Sequence, residues 1–327
     1  MQTQMTKYAV GLGSGAAAAM LFLAAMRGAP LAVALAYLGP LPIMIATLGW
    51  GYDAGLVALF SACGVAAAGA PGYSLAYGLL LAAPAWALAA FVGSPAIYVK
   101  NSKDPAAARL YPGPGAVALL AAGLFIVAGA AQLSLMWFGK GGYQGAVTAL
   151  SAQIRDALGA SGADRALPPD MSADDLAQAI VQFAPTAVAT GATLMQLANL
   201  YLAARSVQLS QRLSRPWRDI PTGFVLPRWL AAPAAAGLAL TLTAPSPADE
   251  YGLIVASALG ALYAMQGLAT LHALSRRAAA RPFMLGALYF ACAVAAEWVM
   301  PALAILGIAE SFADLRGRAA RSLKPRT

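Results

Sequence analysis

The feature that most constrains this chain is a succession of apolar runs, each about as long as a membrane is thick. They fall near 8–26, 29–48, 54–70, 73–93, 115–138, 176–204, 229–245, 251–272 and 283–308. A hydrocarbon core about 30 Å thick takes roughly 20 helical residues at 1.5 Å each. In lipid the backbone has no water to bond, so each run must form a helix; the short alternating segments of a barrel do not occur. Charge agrees: only 10% of the 327 residues are charged, against about 25% in ordinary soluble domains. With a mean hydropathy of +0.68, most of the chain is built for lipid. That excludes a soluble enzyme, a disordered chain and a nucleic-acid-binding module, despite an isoelectric point near 9.7. The fold class is therefore all-α: one polytopic membrane domain over 1–327, with eight or nine spans. Lys7 before an apolar stretch resembles a signal peptide, but the run is long and more spans come after it, so it reads as span one.

The loops set the orientation. Loop 94–114 carries Lys100, Lys103 and Arg109, loop 204–228 carries Arg205, Arg212, Arg215, Arg218 and Arg228, and loop 273–282 carries Arg276, Arg277 and Arg281. The alternate loop 139–175 sets Lys140, Arg155 and Arg165 against five aspartates, and 246–250 has only Asp249 and Glu250. Positive charge gathers on the cytoplasmic side, so the first group is cytoplasmic and the N-terminus with it. The end of the chain conflicts with this count. A single span at 283–308 would leave Arg316, Arg318, Arg321, Lys324 and Arg326 outside; a tilted span and a re-entrant segment broken at Pro301 are both open. Loop 139–175 is the only sizeable soluble portion. A surface helix is expected over 146–158, and Ser172 followed by Asp174 and Asp175 reads as the N-cap of the helix that continues into span six.

Few side chains carry chemistry. Gly11-x-Gly13-x-Gly15 lies in a span and has no strand before it, so it reads as small-residue packing through Gly11-x-x-x-Gly15; Ala32-x-x-x-Ala36 permits the same. Gly39-Pro40-Leu41-Pro42 interrupts span two, as a packing kink or as a discontinuous helix. Gln182, Thr186, Thr190 and Thr193 fall within about 80° on span six, with Gln196 beyond. On span eight, Tyr263, Gln266 and Thr270 fall within about 60°. Such stripes serve either as interhelical glue or as a cavity lining. Glu297 is the acid well inside an apolar run, hence a candidate solute or proton site. Its alternatives are a neutral carboxyl bonded to a neighbouring helix, or an interfacial position if segment nine is broken. His272 sits at the basic end of span eight. Cys63 and Cys292 form no disulfide framework, and no ligand cluster suits a metal. No nucleophile–base set stands out, so neither an enzyme nor a cofactor is expected. Arg212, Arg215 and Arg218, beside Trp217 and Trp229, read as contacts to anionic headgroups or to a protein partner.

Pro40-Leu41-Pro42 leading into Gly49-Trp50-Gly51, Asn199-Leu200-Tyr201, Tyr263-Ala264-Met265-Gln266-Gly267, and Leu306-Gly307 with Glu310 and Asp314-Leu315-Arg316 form a recognisable set. With these the chain resembles the YybS-like family, bacterial membrane proteins gathered as domain of unknown function 2232. That family is distantly similar to the substrate-capturing subunits of energy-coupling-factor vitamin transporters. Glu310 stands where the resemblance leads one to expect an aspartate. The expectation is a bacterial inner-membrane protein that binds or translocates a small solute between spans six, eight and nine. The alternative is an assembly protein that recruits lipid or a protein partner through its arginine loop and tail. Without a Walker motif, active transport would need an ion gradient or an ATPase partner.

Overall fold

The structure is a computed structural model that describes residues 2–26, 35–93, 112–139, 141–163, 167–168, 170–213 and 219–322, with no strand among them. The helices are α1 (Gln2–Ala25), α2 (Leu41–Trp50), α3 (Tyr52–Gly69), α4 (Pro71–Gly93), α5 (Pro114–Phe138), α6 (Gly142–Ser161) and α7 (Ala173–Leu209). They continue with α8 (Ile220–Gly223), α9 (Ala231–Thr243), α10 (Ala248–Leu274), α11 (Arg281–Val294), α12 (Ala296–Ala313) and α13 (Leu315–Ser322). Seven helices are long and apolar enough to cross a membrane: α1, α3, α4, α5, α7, α10 and α12. α2 and α11 are apolar but shorter.

Two expected spans are not continuous helices. In span two, residues 37–40 form a turn. Pro40 has no N–H to give, and the Leu41 N–H turns to Leu38 O at 3.0 Å instead of reaching one residue further back. The Tyr37 carbonyl is satisfied from another helix, by Asn199 Nδ2 at 2.7 Å. Span two is thus discontinuous. Of the Ala32–Ala36 pair, Ala32 lies outside the described residues. The last run is broken too, at Ala295 (φ −135°, ψ 43°) rather than at the expected Pro301, which lies inside α12. A helix beginning at Ala296 tolerates the proline by forgoing one backbone bond; no second break is needed.

This break explains the path of the tail. α12 lies alongside α10, with Gly267 and Gly307 at the crossing; a Cβ on either would collide with backbone of the other helix. Beyond α12 the chain turns at Asp314, in the left-handed region (φ 47°), and Arg316 reaches back to Pro221 O at 2.6 Å and Phe224 O at 3.0 Å. Segment 281–313 therefore returns the chain to the end of the bundle that holds loop 219–227.

Contacts gather the loops into two ends. At one end Lys7 pairs with Asp53 at 2.5 Å, Arg212 lies 4.6 Å over the Trp50 ring, and Arg276 holds Asp219. At the other, Trp137 Nε1 donates to Glu250 at 2.9 Å and Arg155 pairs with Asp174 at 3.2 Å. Every described contact of loop 204–228 joins the first end, and the acidic turn 249–250 joins the second. α6 covers the start of α7 through Met136, Val147 and Val181, and the Ser172–Asp175 capping box forms as the sequence implies. Gly11 and Gly15 of α1 meet the carbonyls of Ala54 and Ala58 on α3, the close approach expected of that motif.

Candidate functional site

The span-six stripe does not survive as one face. Residues 188–192 of α7 form a π-turn, which takes one extra residue per turn and so sets the two halves of the helix out of phase with each other. Gln182 is exposed on the outer part of the helix, and Thr186 and Thr190 are half-buried. Thr190 Oγ1 donates to Ser257 Oγ on α10 at 3.1 Å. Thr193 is buried and donates to its own helix at Ala189 O, 2.5 Å away.

One turn further on, Gln196 and Asn199 act as caps for backbone irregularities. Gln196 Nε2 donates to Leu81 O at 2.9 Å, in the π-turn of α4 (78–82), as Asn199 does to Tyr37 O. Their amide oxygens find no partner among the described residues.

The span-eight stripe is buried, and Gln266 is the member that bonds across to other elements. Gln266 is fully buried, and its Nε2 donates to Gly307 O and to Ser311 Oγ, each at 2.7 Å, while its Oε1 accepts the Leu226 N–H at 2.5 Å. Thr270 donates to Gln266 O at 2.9 Å, and Tyr263 is buried with its hydroxyl unpartnered among the described residues. Gln266 thus joins α10 to α12 and to loop 224–227, and none of the three residues lines either of the two volumes described below.

Glu297 is exposed in the first turn of α12 and makes no hydrogen bond or ion pair among the described residues. The structure therefore does not bring it to the polar stripes. The buried acid is Glu310, 6% exposed and paired with Arg316 at 2.7 Å. Sequence reading missed this pair because Arg316 counts as tail charge until the turn at Asp314 folds it back. Arg212 is held against Trp50, whereas Arg215 and Arg218 lie outside the described residues.

Two of the open volumes in this half share wall residues with each other. One, about 630 Å³, lies among α7, α9, α10, α11 and α12. Its wall is nearly all carbon, with Leu194, Ala261, Cys292 and Ala304 contributing; Thr190 donates to Ser257 Oγ, which in turn donates to Ile254 O at 3.2 Å. The other, about 640 Å³, lies at the basic end and is lined by Arg205, Gln208, Asp219, His272 and Tyr289. Met265, Leu268 and Tyr289 wall both, so the two adjoin. The Thr222 hydroxyl, aided by the Arg276 guanidinium and opposed by partial burial, holds the Asp219 carboxyl below its ordinary range. Among the described residues no group of three or more His, Cys, Asp or Glu could hold a metal ion.

A family model described as "Predicted membrane protein (DUF2232)" matches residues 16–311. No curated protein and no solved structure matches the chain, so the more distant likeness to vitamin-transporter subunits is not shown.

Proposed function

The chain belongs to the DUF2232 family of predicted membrane proteins, the YybS-like group its motifs resemble, and from that premise we propose that it binds a small lipophilic solute within the bilayer. The observation that carries this reading is the apolar cavity of about 630 Å³ among α7, α9, α10, α11 and α12. These helices correspond to spans six, eight and nine, with span seven added. The volume falls in the range of about 300–1,000 Å³ that ligand pockets occupy, and an apolar lining is usual for them. Its polar groups are few, and Thr190 and Ser257 already donate to protein acceptors, which suits a ligand recognised by shape and apolar area more than by hydrogen bonds.

In the proposed topology the basic end faces the cytoplasm of a bacterial inner membrane, in keeping with the positive-inside rule. α11 and α12 enter and leave on that side, so the tail is cytoplasmic. The discontinuous second span and the short α9 complete the eight spans before this hairpin. Glu297 takes no part in the cavity, and Thr190 is the one member of the span-six stripe that lines it.

The test is thermal stabilisation of the purified full chain in nanodiscs across a panel of lipophilic metabolites and vitamins. Ala304→Phe and Ala261→Phe, which fill the cavity, should abolish any shift. A ligand that stabilises wild type and both variants alike would overturn the reading. Co-purification of a fixed protein partner without any stabilising ligand would favour assembly instead.

A further inference from the structure

The cavity and the volume beside it differ in character, and that difference identifies a ligand class. The inner volume is apolar, whereas the one at the basic end presents Arg205, His272 and the Tyr289 hydroxyl. Met265, Leu268 and Tyr289 belong to both walls, so the two volumes are immediate neighbours.

The charge balance of the outer volume is positive. Asp219 is its only acid, and both carboxylate oxygens are already taken by Arg276, at 2.5 and 2.6 Å, with Thr222 donating to one of them. Arg205 has no acid partner among the described residues. Its one side-chain bond runs from a terminal nitrogen to Gln208 Oε1 at 2.8 Å. A guanidinium has five N–H donors in a planar fork, so most of its capacity is open to a carboxylate or phosphate. Tyr289 Oη lies 3.1 Å from His272 Nε2, adding a pair of polar groups at the junction where a headgroup would meet its chain.

We propose that the protein binds a single-chain amphiphile with an anionic headgroup, its chain in the apolar cavity and its head against Arg205. This rests on the cavity being a ligand site, as proposed above. The paired state of Asp219 disfavours a cationic head. A chain without a head would leave the Arg205 fork to water and gain nothing from the outer volume.

The experiment compares dodecyl phosphate, dodecanol and dodecyltrimethylammonium as ligands of the purified full chain in phosphatidylcholine nanodiscs, with empty nanodiscs as background. Saturable binding is read by thermal stabilisation. Dodecyl phosphate should bind at least tenfold more tightly than either of the others. Arg205→Gln should cost it roughly tenfold or more, the range for a hydrogen bond to a charged group, and leave dodecanol unchanged. Arg205→Lys, which keeps the charge, should retain discrimination against the cation. Ala304→Phe should remove binding of all three. Equal affinity for dodecanol and dodecyl phosphate, insensitive to Arg205→Gln yet abolished by Ala304→Phe, would overturn the headgroup assignment while the cavity reading stands. Preference for the cationic amphiphile would overturn it too. Absence of saturable binding by all three would remove both readings.

Discussion

Alanine substitution at the three glycines of α10 should divide by position, because the same methyl meets different surroundings along one helix. At Gly260 a Cβ meets nothing within 4 Å. Alanine there gains only from reduced backbone freedom in the unfolded chain, so stability should rise by about 0.5–1 kcal/mol. At Gly267 the methyl would lie far inside van der Waals contact of the Leu303 carbonyl oxygen, with Gly307 N only 3.2 Å away. Backbone atoms cannot swing aside as a side chain can, so α10 and α12 must separate. Overpacking of this kind costs about 1–3 kcal/mol. Separation also stretches the Gln266 bonds to Gly307 O and Ser311 Oγ, both 2.7 Å, each worth about 0.5–1.5 kcal/mol. The helix gain is common to both variants and cancels, so Gly267→Ala should be less stable than Gly260→Ala by roughly 2–6 kcal/mol. Gly252→Ala should lie on the unfavourable side as well, since the Gly237 carbonyl approaches its Cβ position to 2.6 Å. Reversible unfolding of the purified chain in mixed micelles, at matched protein and detergent concentrations, measures the differences. A Gly267→Ala protein as stable as Gly260→Ala would refute the close crossing, and with it the placement of α12 against α10.

After replacement of Cys63 and Cys292, cysteines introduced in 204–228 and in α13 should resist an impermeant thiol reagent in intact cells, while those in 139–175 react; labelling of α13 would undo the hairpin of α11 and α12. Asn199→Ala should destabilise by about 0.5–1.5 kcal/mol by removing the side-chain donor to the Tyr37 carbonyl; a change below about 0.5 kcal/mol in the same unfolding assay would argue against that cap. Because the Asp219 carboxyl is held below its ordinary value of 3.8, its stabilisation is present at neutral pH and is lost as pH falls below about 4. The stability difference between wild type and Asp219→Asn should accordingly be constant from pH 7 to 5 and shrink below that window; a difference that shrinks between pH 7 and 6 would contradict it. Glutamine in place of Arg215 and Arg218 should weaken retention of anionic lipid by about 1 kcal/mol each, with Arg212, held over Trp50, contributing less; equal effects at all three would show that the stacking does not compete with lipid.

The sequence by itself determined the helical class and the membrane as solvent. Apolar length and scarce charge force helices wherever backbone must bond without water. Local signals such as the Ser172–Asp175 capping box and Gly11-x-x-x-Gly15 worked because their partners lie within a few residues or need only close approach. Tertiary structure decided the polar chemistry. Helical phase projected one stripe onto span six, but the π-turn at 188–192 inserts an extra residue, so Thr193 and Gln196 turn inward while Gln182 faces out. Hydropathy singled out Glu297, deep in an apolar run, yet it ends on the surface because the chain breaks two residues earlier, at Ala295. Glu310 is the buried acid for a reason no window of sequence contains: the turn at Asp314 brings Arg316 back onto it and onto the carbonyls of Pro221 and Phe224, more than ninety positions away. Burying an acid is tolerable only when a partner arrives with it, and where that partner comes from is settled by the path of the whole chain.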